Sequence, residues 1–186
     1  MRRWQVSWQV LVFGVMALVG GILLGSRWQT SDPVHSSAAD RLQPVSTDST
    51  PSTPGATVYV PIYSSLYLGL NIKKPTVELS ATVSVRNVSS IHPIVIDWVR
   101  YYDSKGKKIR DYVDKPSELP PLGSVEFVVQ RSDASGGPGA NFLIHWNGPA
   151  NVDEPIIEAV MLGQSGSAGI SFTSAGRVVK SEAGPR

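Results

Sequence analysis

The sequence predicts an all-β fold, a two-sheet β-sandwich of about 8–9 strands, set behind an N-terminal transmembrane helix and a disordered linker. Three observations predict it. After Thr57, short runs of Val, Ile, Leu, Phe and Tyr are separated by Gly, Pro, Asn, Asp and Ser, the punctuation of a β protein. Residues 76–86 alternate strictly, with Val77, Leu79, Ala81, Val83 and Val85 set against polar neighbours, which is the period-two pattern of a strand buried on one face. No helical period of useful length occurs in the same region. A closed barrel satisfies the same pattern and remains the alternative architecture.

The first segment, residues 1–28, reads as a membrane anchor. Residues 10–25 carry no charge and no amide, and residues 6–8 extend the apolar run to about 20 residues, the length that crosses a ~30 Å hydrocarbon core. Trp4, Trp8 and Trp28 stand near its ends, where indoles prefer the headgroup zone. Arg2, Arg3 and the terminal amine outweigh Arg27 and Arg41, which Asp32 and Asp40 dilute. That balance puts the N-terminus in the cytoplasm and the C-terminal domain in the periplasm or extracytoplasmic space of a bacterial inner membrane. A cleaved signal peptide shares the charged start and apolar middle, but the small residues Ser37, Ala38 and Ala39 lie far downstream of Leu24, which favours an uncleaved anchor. Ala17, Gly21 and Gly25 recur every four residues, the spacing at which two membrane helices can approach closely, so they mark a face for weak homodimerisation.

Residues 29–56 are rich in Ser, Thr and Pro and nearly free of large apolar side chains, so they cannot bury enough surface to offset the entropy of ordering. A flexible tether is expected there. The β domain follows over residues 57–180, with a short tail at 181–186. Besides 76–86 and 124–131, strands are expected at 57–63, 66–72, 94–102, 107–113, 140–146, 155–162 and 168–173.

Composition removes several classes of function. A net charge of +2, from 17 Lys and Arg against 15 Asp and Glu, is too balanced for a protein that gathers nucleic acid by electrostatics. With no cysteine, disulfide frameworks, thiolate metal sites and cysteine nucleophiles are all excluded. His35, His92 and His145 form no ligand pattern, so neither metal nor cofactor is expected. Catalytic sets are missing as well: Ser165 sits in a broken nucleophile-elbow pattern, and Asp153 and Glu154 are adjacent and splay apart on an extended chain. The sequence therefore predicts a protein that is not an enzyme.

Two stretches are candidates for binding. The turn Asp103-Ser104-Lys105-Gly106 joins residues 94–102 to 107–113 as a hairpin, its glycine suited to a left-handed turn position. Pairing Asp103 with Lys107 sets Trp98 against Tyr112, Arg100 against Arg110 and Tyr102 against Lys108, making one aromatic and basic face able to hold a glycan or a peptide. Val99, Tyr101, Ile109 and Val113 fall on the other side, with Asp97 and Asp111 among them. A slip of one residue would exchange these neighbours. The second candidate is residues 131–142, where three glycines expose backbone amides and Arg131, Asp133, Ser135 and Asn141 offer polar side chains for an anion or a hard cation. A long inter-strand connection with glycine turns explains the same residues.

Several stretches together resemble one family: Tyr59 to Ser65, Glu78 to Asn87, His92 to Asp97, Val99 to Asp103, Arg131 to Asp133 and Gly169 to Ser174. They are similar to the bacterial family known as domain of unknown function 3124, a likeness that spans nearly the whole chain after the linker. That resemblance implies an exported or membrane-tethered bacterial domain and supplies no catalytic residues. A looser resemblance, to immunoglobulin- or fibronectin-like domains of the water-stress group, rests on Asn87 at a strand end, Tyr101 or Tyr102 in the next strand and the Gly106 turn. Val88 stands where those domains usually have Pro, so this likeness implies a sandwich and no function.

The expectation is a membrane-tethered envelope protein whose extracytoplasmic domain binds a protein partner or a cell-wall glycan. An assembly subunit of an envelope complex is the rival expectation, and a hydrolase with an unrecognised site comes third.

Overall fold

The computed structural model describes residues 41–45, 55–68 and 77–181. The anchor expected at 1–28 and its Ala17, Gly21, Gly25 face lie outside these residues. Among the described residues no helix is long and apolar enough to cross a membrane.

Twelve strands are described: β1 (Gln43–Pro44), β2 (Ala56–Pro61), β3 (Ser65–Leu66), β4 (Val77–Arg86), β5 (Ile94–Tyr102), β6 (Lys108–Val113), β7 (Ser117–Leu119), β8 (Ser124–Val129), β9 (Asn141–Asn147), β10 (Ile156–Ser165), β11 (Ala168–Ala175) and β12 (Arg177–Ser181). They form two antiparallel sheets. The larger runs β1-β7-β5-β9-β2-β12, with β6 also on β5, and the smaller runs β11-β10-β4-β3, with β8 also on β4. Both β4 and β5 are central because their alternation lets one face enter the core while both edges pair.

The inner faces share one core. Val77, Leu79, Ala81, Val83 and Val85 of β4 lie with Ile94, Ile96, Val99 and Tyr101 of β5 and Phe142, Ile144 and Trp146 of β9. Each fully buried aliphatic or aromatic side chain there contributes roughly 1.5–3 kcal/mol relative to exposure. The chain changes sheets between β11 and β12 at Gly176, where a Cβ would come within 2.7 Å of Val58 and 2.9 Å of the Ile157 carbonyl. Only glycine permits so close a crossing.

Three strands lie outside those read from the pattern. β7 is three residues long and β12 carries exposed Val178 and Val179, so neither shows an alternation that periodicity can detect. Gln43 and Pro44 fall in the segment expected to be linker, yet pair with Glu118 and Ser117. Of the strand expected at 66–72, Leu66 belongs to β3, and residues beyond Leu68 lie outside the description.

One end of the domain is tied by a polar knot. Asn87, 2% exposed, donates from Nδ2 to the carbonyls of His92 at 2.8 Å, Pro120 at 3.1 Å and Leu119 at 3.3 Å, and its Oδ1 accepts from the Ser89 amide at 3.0 Å. This one amide links the end of β4 to the chain after β7, joining the two sheets.

Candidate functional site

The geometry of the candidate face is set by irregularities in β5 and β6. Between β5 and β9, Ile96 pairs with Trp146 and Trp98 with His145, leaving Asp97 as an extra residue. A bulge of this kind changes the phase of the strand. Before it Ile94 and Ile96 face the core, and after it Val99 and Tyr101 do, so Trp98, Arg100 and Tyr102 are half-buried on the outer face.

Asp97 is brought to that face too, which corrects the expectation that it lies on the opposite side. Its Oδ2 sits 2.7 Å from His145 Nδ1 and accepts from Asn147 Nδ2 at 2.7 Å. The Trp98 ring stacks on His145 with centroids 5.6 Å apart and planes 22° apart. The Arg100 guanidinium lies 4.2 Å from the Trp98 ring centroid, and Arg100 Nε is 3.4 Å from Asp111 Oδ1. Asp111 also takes Lys108 Nζ at 2.6 Å. The outer face is thus a continuous run from Lys108 through Asp111, Arg100, Trp98, His145 and Asp97 to Asn147, with each cation set against a carboxylate or a ring.

The other half of the expected face is elsewhere. Tyr102 pairs with Lys108 as expected, but Tyr101 then pairs with Arg110, Arg100 with Asp111 and Val99 with Val113, so β6 carries two irregularities. These turn Tyr112 inward. Its ring meets Phe142 at 5.2 Å, Phe127 at 5.8 Å and Tyr101 at 6.5 Å, and its hydroxyl donates to the Val128 carbonyl of the other sheet at 2.9 Å. Neither the Trp98–Tyr112 nor the Arg100–Arg110 pairing forms. Two like charges directly opposed would be destabilising, and the shift replaces Arg100–Arg110 with Arg100–Asp111.

Arg110 instead joins the second candidate. Its Nη2 lies 2.5 Å from Asp133 Oδ2, and Asp133 Oδ1 accepts from the Ser135 amide at 3.1 Å and from the Ser135 hydroxyl. The guanidinium at Asp133 is therefore Arg110's; Arg131 is exposed in the preceding turn. The glycine segment is consumed by the fold itself. Gly136 O accepts from the Ser104 amide at 2.9 Å and from its hydroxyl at 2.9 Å, Gly139 N donates to Ser104 Oγ at 2.8 Å, and Gly137 O accepts from Ser64 Oγ at 2.7 Å. A Cβ on Gly136 would lie 1.9 Å from the Tyr101 hydroxyl oxygen. These contacts dock the segment on the 103–106 turn. Asn141 stands apart from it, half-buried on the outer face opposite Tyr102.

Tyr101 lies under this segment and is fully buried. Burial first, then the Asp133 carboxylate and Tyr112, push its hydroxyl up to about 12, against opposing contributions from Ser135 and Arg110. Burial likewise pushes the Tyr112 hydroxyl up. Both are neutral at physiological pH.

The Asp97–His145 pair is the one carboxylate–imidazole contact among the described residues. Its geometry orients the ring. His145 Nε2 is itself buried, and Gly55 lies so close that a Cβ there would come 2.9 Å from His145 Cε1. A general base must reach its substrate's proton, which this atom's burial opposes. Sequence reasoning placed His145 in a strand beside Trp146 and did not join it to Asp97. The available signal was that Asp97 and Trp98 interrupt the aliphatic run, with Ile94 and Ile96 at even positions before them and Val99 and Tyr101 at odd positions after.

Fold and face together define an all-β domain of two antiparallel sheets that displays an arginine–tryptophan–histidine stack on its outer surface. The chain belongs to the family of proteins of unknown function DUF3124, whose model matches residues 55–179. No curated protein matches the sequence. Among solved structures, the crystal structure of Thermotoga maritima 1070 is similar at 11% identity and a TM-score of 0.37, covering 66% of this chain and 92% of that one, a likeness too loose to bear on function.

Proposed function

We propose that this protein is a membrane-tethered binding module of the bacterial envelope, and that its immunoglobulin- or fibronectin-like scaffold holds a protein partner on the outer face around Trp98. The observation that carries this reading is the stack of Arg100 and His145 on the Trp98 ring. Tryptophan, tyrosine and arginine dominate the energetic centres of protein interfaces, and here Trp98 and Arg100 are held against each other and against His145 before any partner arrives, with Tyr102 on the same face. Asp111 pairs with both Arg100 and Lys108, which lowers the cost of covering these cations while leaving one positive charge for a partner's acidic group to meet. A glycan is the second reading, from the same aromatic ring. It is less favoured because a sugar stacking on Trp98 must share the ring with a guanidinium only 4.2 Å from its centroid.

The test is recovery of the tagged full-length protein from gently solubilised membranes, comparing the natural chain with Trp98→Ala and with Ser167→Ala on the distant β10–β11 turn. A stoichiometric partner kept by Ser167→Ala and lost by Trp98→Ala is expected. A partner retained equally by both variants, or none at all, overturns the reading, and retention on peptidoglycan that depends on Trp98 replaces it with the glycan one.

A further inference from the structure

The same end of the domain that Asn87 ties together presents two large apolar side chains to solvent. Ile91 is 73% exposed and Leu122 is 70% exposed. Neither sits on a loose loop. Ser89, itself buried, takes the Leu122 amide on its carbonyl at 3.0 Å and the Ile91 and His92 amides on its hydroxyl at 3.4 and 3.0 Å.

Leu122 is also held at a cost. Gly123 N donates to Pro120 O at 2.9 Å, closing a turn in which Pro121 and Leu122 are central, and Leu122 has φ 56°. A left-handed residue at this turn position is ordinarily glycine or asparagine, and a branched apolar side chain there is strained. It is the one non-glycine residue at positive φ among those described. A strained, exposed leucine points to a role outside the fold.

The chain's path says what lies opposite. Gln43 pairs with Glu118 and Pro44 with Ser117 in antiparallel sense, so residues preceding Gln43 run alongside Leu119 toward the 120–123 turn. Arg41 ends there in an ion pair with Glu126. The first described residue, Arg41, therefore stands at the end that carries Ile91 and Leu122. In the sequence only residues 26–40 separate the apolar stretch, which closes at Gly25, from Arg41, and an unstructured chain of that length would span about 20 Å on average.

We propose that this end is the membrane-facing end of the domain, and that Ile91 and Leu122 dip into the headgroup boundary of the bilayer. This rests on the membrane-tether reading of residues 1–28. The contact is apolar rather than electrostatic, because Asp153 and Glu154 are exposed on the β9–β10 connection at the same end. It therefore persists on zwitterionic lipid and at high salt.

The chain has no cysteine, so Ile91→Cys, Leu122→Cys and, as a control at the opposite end, Ser167→Cys each give one labelling site in the full-length protein. Each variant is labelled with an environment-sensitive fluorophore and reconstituted into phosphatidylcholine vesicles with and without doxyl-labelled lipid. Blue-shifted emission, mostly lost to the lipid quencher at 91 and 122 and unchanged at 167, is the expected result. A chain that floats with vesicles and resists carbonate extraction, yet shows unquenched probes at 91 and 122, overturns the proposal alone. Blue-shifted emission that the lipid quencher leaves intact also overturns it, since a second copy or a protein then covers the pair. A chain that fails to float overturns the tether reading and this proposal with it. Leu122→Gly is expected to raise the thermal midpoint while reducing quenching of a probe at 91, a combination that a purely structural leucine does not produce.

Discussion

The glycine segment at 131–140 and the outer face around Trp98 both look like binding sites in the sequence, and they use their polar atoms in opposite ways. In the segment, Gly136 O, Gly137 O, Gly139 N and both Asp133 oxygens bond to the protein itself. Its glycines serve close packing over Tyr101 rather than an anion. On the outer face the polar groups also meet one another, but they do so around rings that remain half-exposed. An internally satisfied loop has few donors left for a ligand, whereas the outer face keeps half-exposed rings whose area a partner can bury.

The sharpest way to break this comparison is Gly136→Ala. With the new methyl 1.9 Å from the Tyr101 oxygen and 2.7 Å from the Ala140 Cβ, a loss of at least about 3 kcal/mol is expected in urea unfolding. If the variant is as stable as the natural chain, the segment is not packed as described and returns as a ligand loop. Next in size is Asp97→Ala, which takes the shared acceptor from His145 and Asn147 and is expected to cost about 2 kcal/mol. Stability should fall while the segment's own contacts persist, and loss of partner recovery in parallel would tie the binding face to this bulge.

The effect that is smallest at neutral pH emerges only in alkaline solution. The folded chain holds the Tyr101 proton more tightly than the unfolded chain, whose tyrosine titrates near 10.0. Stability is therefore full below that pH and falls as pH rises through about 12, by about 3 kcal/mol from this group. Tyr101→Phe should flatten the decline, leaving the part due to Tyr112, and change neutral-pH stability by less than about 1 kcal/mol. An unchanged alkaline slope would mean that Tyr101 is not sealed beneath the segment.

Much of the fold was legible because period-two alternation reports burial directly. Val77 through Val85 are buried at every second position, and the 94–102 and 107–113 runs do form a hairpin closed by Asp103 N on Lys107 O. Asp103 was legible as a turn residue for the same local reason: its Oδ1 accepts from the amides of Lys105 and Lys107, both at 2.8 Å. Half of the candidate site was legible as well, since Trp98, Arg100 and Tyr102 share one face. Arg110 and Tyr112 were misplaced because each irregularity in β6 reverses the side on which the following residues emerge, and no local signal announces it.

What the sequence by itself determined is therefore whatever depends on neighbours along the chain: the all-β class, most strands, the turn at 103–106 and the exclusion of thiol chemistry. The tertiary structure alone decided which polar atoms meet. Asp97 reached His145, 48 residues away, only through a bulge, and Arg110 rather than Arg131 took Asp133, 23 residues away, because β6 slipped against β5. The physical reason is that a strand's inward and outward faces are set by its own alternation, while its register is set by the best joint packing of both sheets, and that is a property of the whole core.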